Sequence, residues 1–175
     1  LAPYVTNMLD VLLTKKLISY KKYQGCRLSK KGEAIAIQII RRHRLWKTFL
    51  FGKLNYDWSE ISNVAIPLKY AKSPELIDRL EQSLGSPKFD PHGYPIPDKN
   101  GKIIYIKTKK ILADVSVNSV VEVASVNDDS LTLLKYLDSI NISIGSVIKV
   151  CNRYPFDESL KIETDGKKLG ISKKV

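Results

Sequence analysis

Histidine and cysteine are scarce in this chain, two of each in 175 residues. Cys26 and Cys151 stand far apart in unlike contexts, without a C-x-x-C or Cys/His spacing. That excludes a disulfide scaffold and a structural zinc site, and it points to a reducing, cytoplasmic setting. His43 and His92 sit in unrelated contexts with no cysteine or serine nucleophile paired to either. A Gly-rich phosphate loop and a G-x-S-x-G turn are also missing, so nothing marks the chain as an enzyme. Asp128 and Asp129 are a carboxylate pair in number only, at the kind of turn where such residues are common. Long apolar runs are absent too. No stretch reaches the ~18 residues that a membrane span needs, and no signal-peptide pattern is present. Internal repeats and low-complexity tracts are lacking.

Positive charge is abundant and unevenly spread. The net charge is +11, from 29 Lys and Arg against 18 Asp and Glu. Between Leu1 and Lys47 there are eleven basic residues and two acids, so +9 of the +11 lies in about a quarter of the chain. A concentrated basic region attracts phosphates through counterion release. A membrane surface would attract it as well, but this segment carries a strand-like wing rather than one long amphipathic helix. Nucleic acid is the better partner.

The basic region has a recognisable layout. Pro3 suits a first helical position, and Val5, Met8, Leu9 and Leu12 recur at the spacing of one apolar face. Tyr4, Thr6 and Asn7 occupy the opposite face, where polar side chains near a helix start can reach base edges in a major groove. Ser19 to Gly32 then reads as a β-wing. Ser29 caps a long helix over about Lys30 to Phe51, marked by Ala34, Ile37, Ile40, Leu45 and Phe49. A second helical pattern runs from Ser59 to Ile66 until Pro67 strains it, and Ser73-Pro74 launches a third, with Leu76, Ile77, Leu80 and Leu84 on one face. Gly85 ends it. Ser86 to Gly101 holds four of the eight prolines and reads as a turn-rich connection between domains. Beyond it come strand-like runs at 119–124, 146–150 and 160–163, with a short helix over 130–139. This suggests a small β-barrel of about 60 residues, near the lower limit for independent folding.

Five pieces in this order resemble the diphtheria-toxin-repressor and manganese-transport-repressor family of metal-dependent bacterial transcription regulators. They are the Pro3-Tyr-Val-Thr-Asn-Met-Leu9 helix, the wing ending Arg27-Leu-Ser-Lys-Lys-Gly32, Arg42-His-Arg-Leu45, the loop Asp90-Pro-His-Gly-Tyr-Pro-Ile-Pro97, and a tail with Tyr136-Leu-Asp-Ser-Ile-Asn-Ile-Ser-Ile-Gly145 followed by Val147 and Val150. The resemblance covers nearly the whole chain. It implies a mainly α protein with a small β domain. The recognition helix and wing of an N-terminally incomplete winged helix-turn-helix would occupy 1–36, a helical dimerisation domain 37–97, a linker 98–111, and an SH3-like (FeoA-type) barrel 112–175. Because two further helices precede the recognition helix in that family, a few tens of residues are expected ahead of Leu1. The resemblance also implies a homodimer on a palindromic operator in double-stranded DNA. Pro3, Tyr4, Thr6 and Asn7 would face the bases, with Lys21, Lys22 and Arg27 on phosphates, and the family cofactor would be Mn2+ or Fe2+.

The expected metal ligands are where the pattern breaks. The family's dimerisation helix carries a His, a Glu or Cys four residues later, and Glu-His three residues beyond that. Here those positions hold Ser62, Ile66, Lys69 and Tyr70. Only His43 on the long helix matches, and the acid that some members carry four residues later is Lys47. Isoleucine has no donor atom and a lysine ammonium no lone pair, so no family-type metal site and no cofactor are expected. His43 as an ordinary helix residue remains open beside His43 as a remnant ligand, and His92 is expected to be a turn residue. If a carboxylate from the preceding helices points into the old site, Lys69 could supply fixed positive charge where the family uses a metal. The alternative function is a protein-interaction or other-effector-sensing module that has lost metal-dependent DNA binding.

Overall fold

The computed structural model describes residues 3–21, 24–71, 73–104, 110–127 and 130–175. Helix α1 (Pro3–Thr14) leads into a two-stranded antiparallel wing, β1 (Ile18–Lys21) and β2 (Gly25–Leu28), with Ile18 opposite Leu28 and Lys21 opposite Gly25. The base of the wing closes onto the next helix, α2 (Lys30–Leu54). Ser29 caps α2 by accepting from the Gly32 amide, and its own hydroxyl donates to the Lys16 carbonyl at 2.8 Å. A side chain at residue 32 could not fit, because its Cβ would stand 2.0 Å from the Leu17 oxygen. The motif's glycine is therefore needed for wing and helix to meet.

Helix α2 runs three residues beyond the Phe51 expected from sequence and stops at Asn55, which adopts φ 53 as a left-handed cap. Helix α3 (Ile61–Leu68) passes through Pro67, which gives up one bond of the ladder for want of an N–H, and ends one residue later with the Lys69 amide donating to the Ala65 carbonyl. Helix α4 (Pro74–Ser83) starts as expected, with the Ser73 hydroxyl accepting from the Leu76 amide and Pro74 in the first turn. Ile77 and Leu80 are buried and Leu84 partly so, but Leu76 is 44% exposed and is not part of the packed face.

The C-terminal part holds a four-stranded antiparallel sheet in the order β3 (Val120–Glu122), β4 (Val147–Arg153), β5 (Leu160–Thr164) and β6 (Lys167–Ile171), open among the described residues. Helix α5 (Leu131–Ser139) is capped by Ser130. Strand β6 is an addition to the sequence reading. It is joined to β5 by Asp165-Gly166, both at positive φ, the tight turn that an Asp-Gly pair favours between strands.

The β part does not stand on its own core. Leu50 of α2 and Trp58, Ile61 and Ala65 around α3 form one apolar cluster with Leu134 and Leu137 of α5 and with Ile148, Val150, Leu160 and Ile162 of the sheet. A unit this small gains interior by borrowing it from the helices. A second, smaller cluster joins Leu45 of α2, Ile77 and Leu80 of α4, and Ile96. Arg41, only 2% exposed, clamps the same pair of helices through Asp78 at 3.1 Å and Glu81 at 2.8 Å. Among the described residues, no helix is long and apolar enough to cross a membrane.

Candidate functional site

Two helical stripes meet over one cavity. His43 and Lys47 lie a turn apart on α2, and Ser62, Ile66 and Lys69 follow at the spacing of one face of α3 and its C-cap. All five line an open cavity of about 520 Å3, together with Arg44, Tyr94 and an apolar side made by Ile39 and Ile40. Four of the five family ligand positions thus come together. The fifth does not: Tyr70 is 61% exposed and lies outside the lining. Helix α3 ends at Leu68, two residues before Tyr70, and the Tyr70 ring centroid stands 5.3 Å from the Lys69 ammonium.

Beside the cavity lies an ion pair that the sequence did not announce. Lys47 Nζ is 2.7 Å from Asp90 Oδ2, with the two side chains 1% and 0% exposed. The other carboxylate oxygen accepts from the amides of His92 at 2.9 Å and Tyr94 at 3.0 Å, so the turn fixes the Asp90 carboxylate against Lys47. Arg44 donates to the Pro95 carbonyl and sits over the Tyr94 ring, 5.2 Å from its centroid. The Asp90–Pro97 loop is consequently interior. Asp90, His92, Gly93, Ile96 and Pro97 are all buried, in the segment that the proline content marked as a turn-rich connection.

His92 lies in a turn, as expected, and is fully buried. Its Nε2 is 2.9 Å from the Trp58 carbonyl, and since a carbonyl only accepts, that nitrogen carries the proton. The Trp58 indole returns a hydrogen bond to the Pro91 carbonyl at 2.9 Å. Gly93, at φ +79, is pressed so closely on the segment after β3 that a Cβ would stand 2.0 Å from the Ala124 oxygen.

The donor set facing the cavity does not fit a divalent transition metal. The lining offers one imidazole, the Ser62 and Tyr94 hydroxyls and the Asn63 amide against two ammonium groups and a guanidinium. Among the described residues, no three of His, Cys, Asp and Glu gather where they could hold a metal ion.

The residues expected to read DNA lie on the opposite part of the chain. Tyr4, Thr6 and Asn7 are exposed on α1, Lys21 is exposed at the hairpin end of β1, and Arg27 is exposed on β2 opposite Ser19. Pro3 opens α1, though its side chain lies outside the described residues, as do all of Lys22, Asp128 and Asp129. Helix α1 buries none of its described side chains fully, and Val5 and Met8 are 38% and 46% exposed.

Comparison with known proteins decides the family. The profile of the "Iron dependent repressor, metal binding and dimerisation domain" matches residues 29–98, and that of the FeoA domain matches residues 110–175. The structure of the manganese regulator SloR superposes with a TM-score of 0.82 at 32% identity, over 99% of this chain and 80% of that one. The chain belongs to the diphtheria-toxin-repressor and manganese-transport-repressor family. A manganese-dependent transcriptional repressor in complex with manganese is similar with a TM-score of 0.90 at 28% identity, over 99% of this chain and 81% of that one. In sequence, a probable metal transport system membrane protein of Chlamydia trachomatis is 34% identical over 92 residues. That match takes in 53% of this chain but only 20% of the relative, so the chain spans about a fifth of that protein. As a family member it is a DtxR-type repressor fold with an SH3-like, FeoA-type C-terminal domain.

The pair Lys47–Asp90 is what sequence reasoning missed at this family site. Lys47 was visible at a position where other members carry an acid, but its partner lay 43 residues away in a loop whose turn chemistry concealed burial.

Proposed function

We propose that the chain is a homodimeric, operator-binding transcriptional regulator whose metal response is lost or altered. The observation that carries this reading is the cavity between α2 and α3, where four family ligand positions converge on His43, Ser62, Ile66 and Lys69 beside the buried Lys47–Asp90 pair. In such a site the protein's own cations replace an added one. Lys69 supplies fixed positive charge where relatives use a metal, and Lys47–Asp90 holds α2 to the loop without any ligand. A buried pair of this kind adds little net stability, but losing one partner is costly, so the arrangement is held in place.

The DNA-binding side of the proposal rests on charge and exposure. Tyr4, Thr6 and Asn7 meet base edges, Pro3 starts the reading helix, and Lys21, Lys22 and Arg27 position the wing on phosphates, which orient the protein without specifying sequence. Two such heads in a dimer read a palindrome whose half-site spacing follows from the dimer geometry. The divisions proposed are 1–36 for the reading head, 37–97 for dimerisation, 98–111 for a linker and 112–175 for the SH3-like domain, with the cytoplasm as the place of action.

The test is binding to a palindromic duplex recovered from random-sequence DNA, at several salt concentrations, with chelator and with added manganese. Salt-dependent, sequence-preferring binding that is equal in both conditions is the expected result. Binding that appears only with manganese would overturn the altered-response reading, and no sequence preference would overturn the regulator reading.

A further inference from the structure

We propose that the α2–α3 cavity is a binding site for a small organic carboxylate with a short apolar tail. The proposal deepens the regulatory reading above by naming the class of effector, and it rests on that reading only for the statement that the ligand regulates. The binding itself is argued from the cavity.

The lining contains no Asp or Glu, while His43, Arg44, Lys47 and Lys69 all contribute to it. Lys47 has its counter-charge in Asp90 at 2.7 Å. Lys69 forms no ion pair among the described residues, and its one ring neighbour, Tyr70, offers only a π face at 5.3 Å. A cation entering this space meets like charge, whereas an anion meets a basic lining that also includes Ser62 and Asn63. Both of those groups can donate to a carboxylate oxygen.

The rest of the lining sets the shape of the ligand. Ile39, Ile40 and Ile66 give the cavity an apolar side, which an inorganic anion would leave uncovered. Its volume of about 520 Å3 lies within the range typical of small-molecule sites. A charged head on Lys69 and a hydrocarbon tail on the isoleucines uses both halves. Ile66, standing where relatives place a metal ligand, then becomes the residue that favours a tail over an ion.

The experiment is calorimetric titration of the protein with octanoate, octanol, inorganic phosphate and manganese, each alone and without DNA. Octanoate is expected to bind saturably, with octanol and phosphate at least about tenfold weaker, because each lacks one of the two features. Lys69→Gln should weaken octanoate about tenfold with Lys69→Arg retaining most of the affinity, and Ile66→Asp should abolish it by placing a carboxylate against the hydrocarbon tail and adding a second negative charge to the site. Thermal melts of each variant separate loss of the site from loss of the fold, and Lys69→Arg reads the charge with the least disturbance. The proposal is overturned by equal affinity for octanol or phosphate, by octanoate affinity unchanged in Lys69→Gln, by saturable manganese binding that octanoate does not displace, or by no octanoate binding at all. Since no DNA is present, these outcomes stand apart from those of the operator experiment.

Discussion

Helix α2 joins two regions built in opposite ways. Ahead of it, among the described residues from Tyr4 to Leu28, Ile18 alone is buried, and the basic side chains of Lys21 and Arg27 stand in solvent. Midway along it, Arg41 and Lys47 are buried and their charges are met within the chain by Asp78, Glu81 and Asp90. The same residue types therefore do different things. A lysine in solvent is a resource for an external phosphate, while a lysine in the interior is a constraint that holds one arrangement of helix and loop.

The comparison breaks most sharply at Asp90. Asp90→Ala strands the Lys47 ammonium in the interior and should cost about 3–5 kcal/mol, read from a denaturant midpoint. Lys47→Met combined with Asp90→Asn removes the ammonium and keeps an acceptor for the His92 and Tyr94 amides, so it should cost less than Asp90→Ala alone. If the two are equally destabilised, the charge pair is not what holds the loop. Gly93→Ala tests the same region by sterics. With a Cβ 2.0 Å from the Ala124 oxygen and a left-handed backbone, it should lose about 1–3 kcal/mol.

Changes in the exposed region should behave differently. Asn7→Ala and Arg27→Ala should each leave stability within about 0.5 kcal/mol. Asn7→Ala should cost about 1–3 kcal/mol of operator affinity and relax sequence preference, whereas Arg27→Ala should weaken all duplexes alike and flatten the salt dependence. The smallest effect is expected at Asp138, whose carboxyl is held above its usual range by partial burial and then by the nearby Asp57 charge. A raised folded-state value means a contribution that is present in acid and lost as pH climbs through the carboxylate range. Asp138→Asn should therefore raise the melting temperature slightly near neutral pH and leave it unchanged at low pH.

Local signals made much of the helical fold legible. Ser29, Ser73-Pro74 and Gly85 mark helix ends by hydrogen-bonding and backbone preferences that need no tertiary contact. Strand β6 was hidden because Lys167-Lys-Leu-Gly-Ile171 shows neither alternation nor β-branched density, although the Asp165-Gly166 turn ahead of it was a usable sign. At the candidate site, the ligand positions on α2 and α3 followed from spacing and family pattern. Tyr70 departed from that pattern because α3 ends at Leu68, before it. The burial of Asp90 and His92 was not legible, since a Pro/Gly-rich turn has the same composition whether water or a second domain covers it. Here the covering is the segment after β3, with the Val126 amide donating to the His92 carbonyl at 3.0 Å.

The most direct test of the central claim, that this family member does not use a metal at the α2–α3 site, is a manganese titration followed by the free-ion EPR signal. The full-length protein is compared with the variant carrying Ser62→His, Ile66→Glu and Lys69→Glu, which together with His43 places four donors around the cavity. The account predicts that the natural protein leaves the free-ion signal intact while the variant, with its donors restored, depletes it. Stoichiometric uptake of manganese by the natural protein would contradict the account.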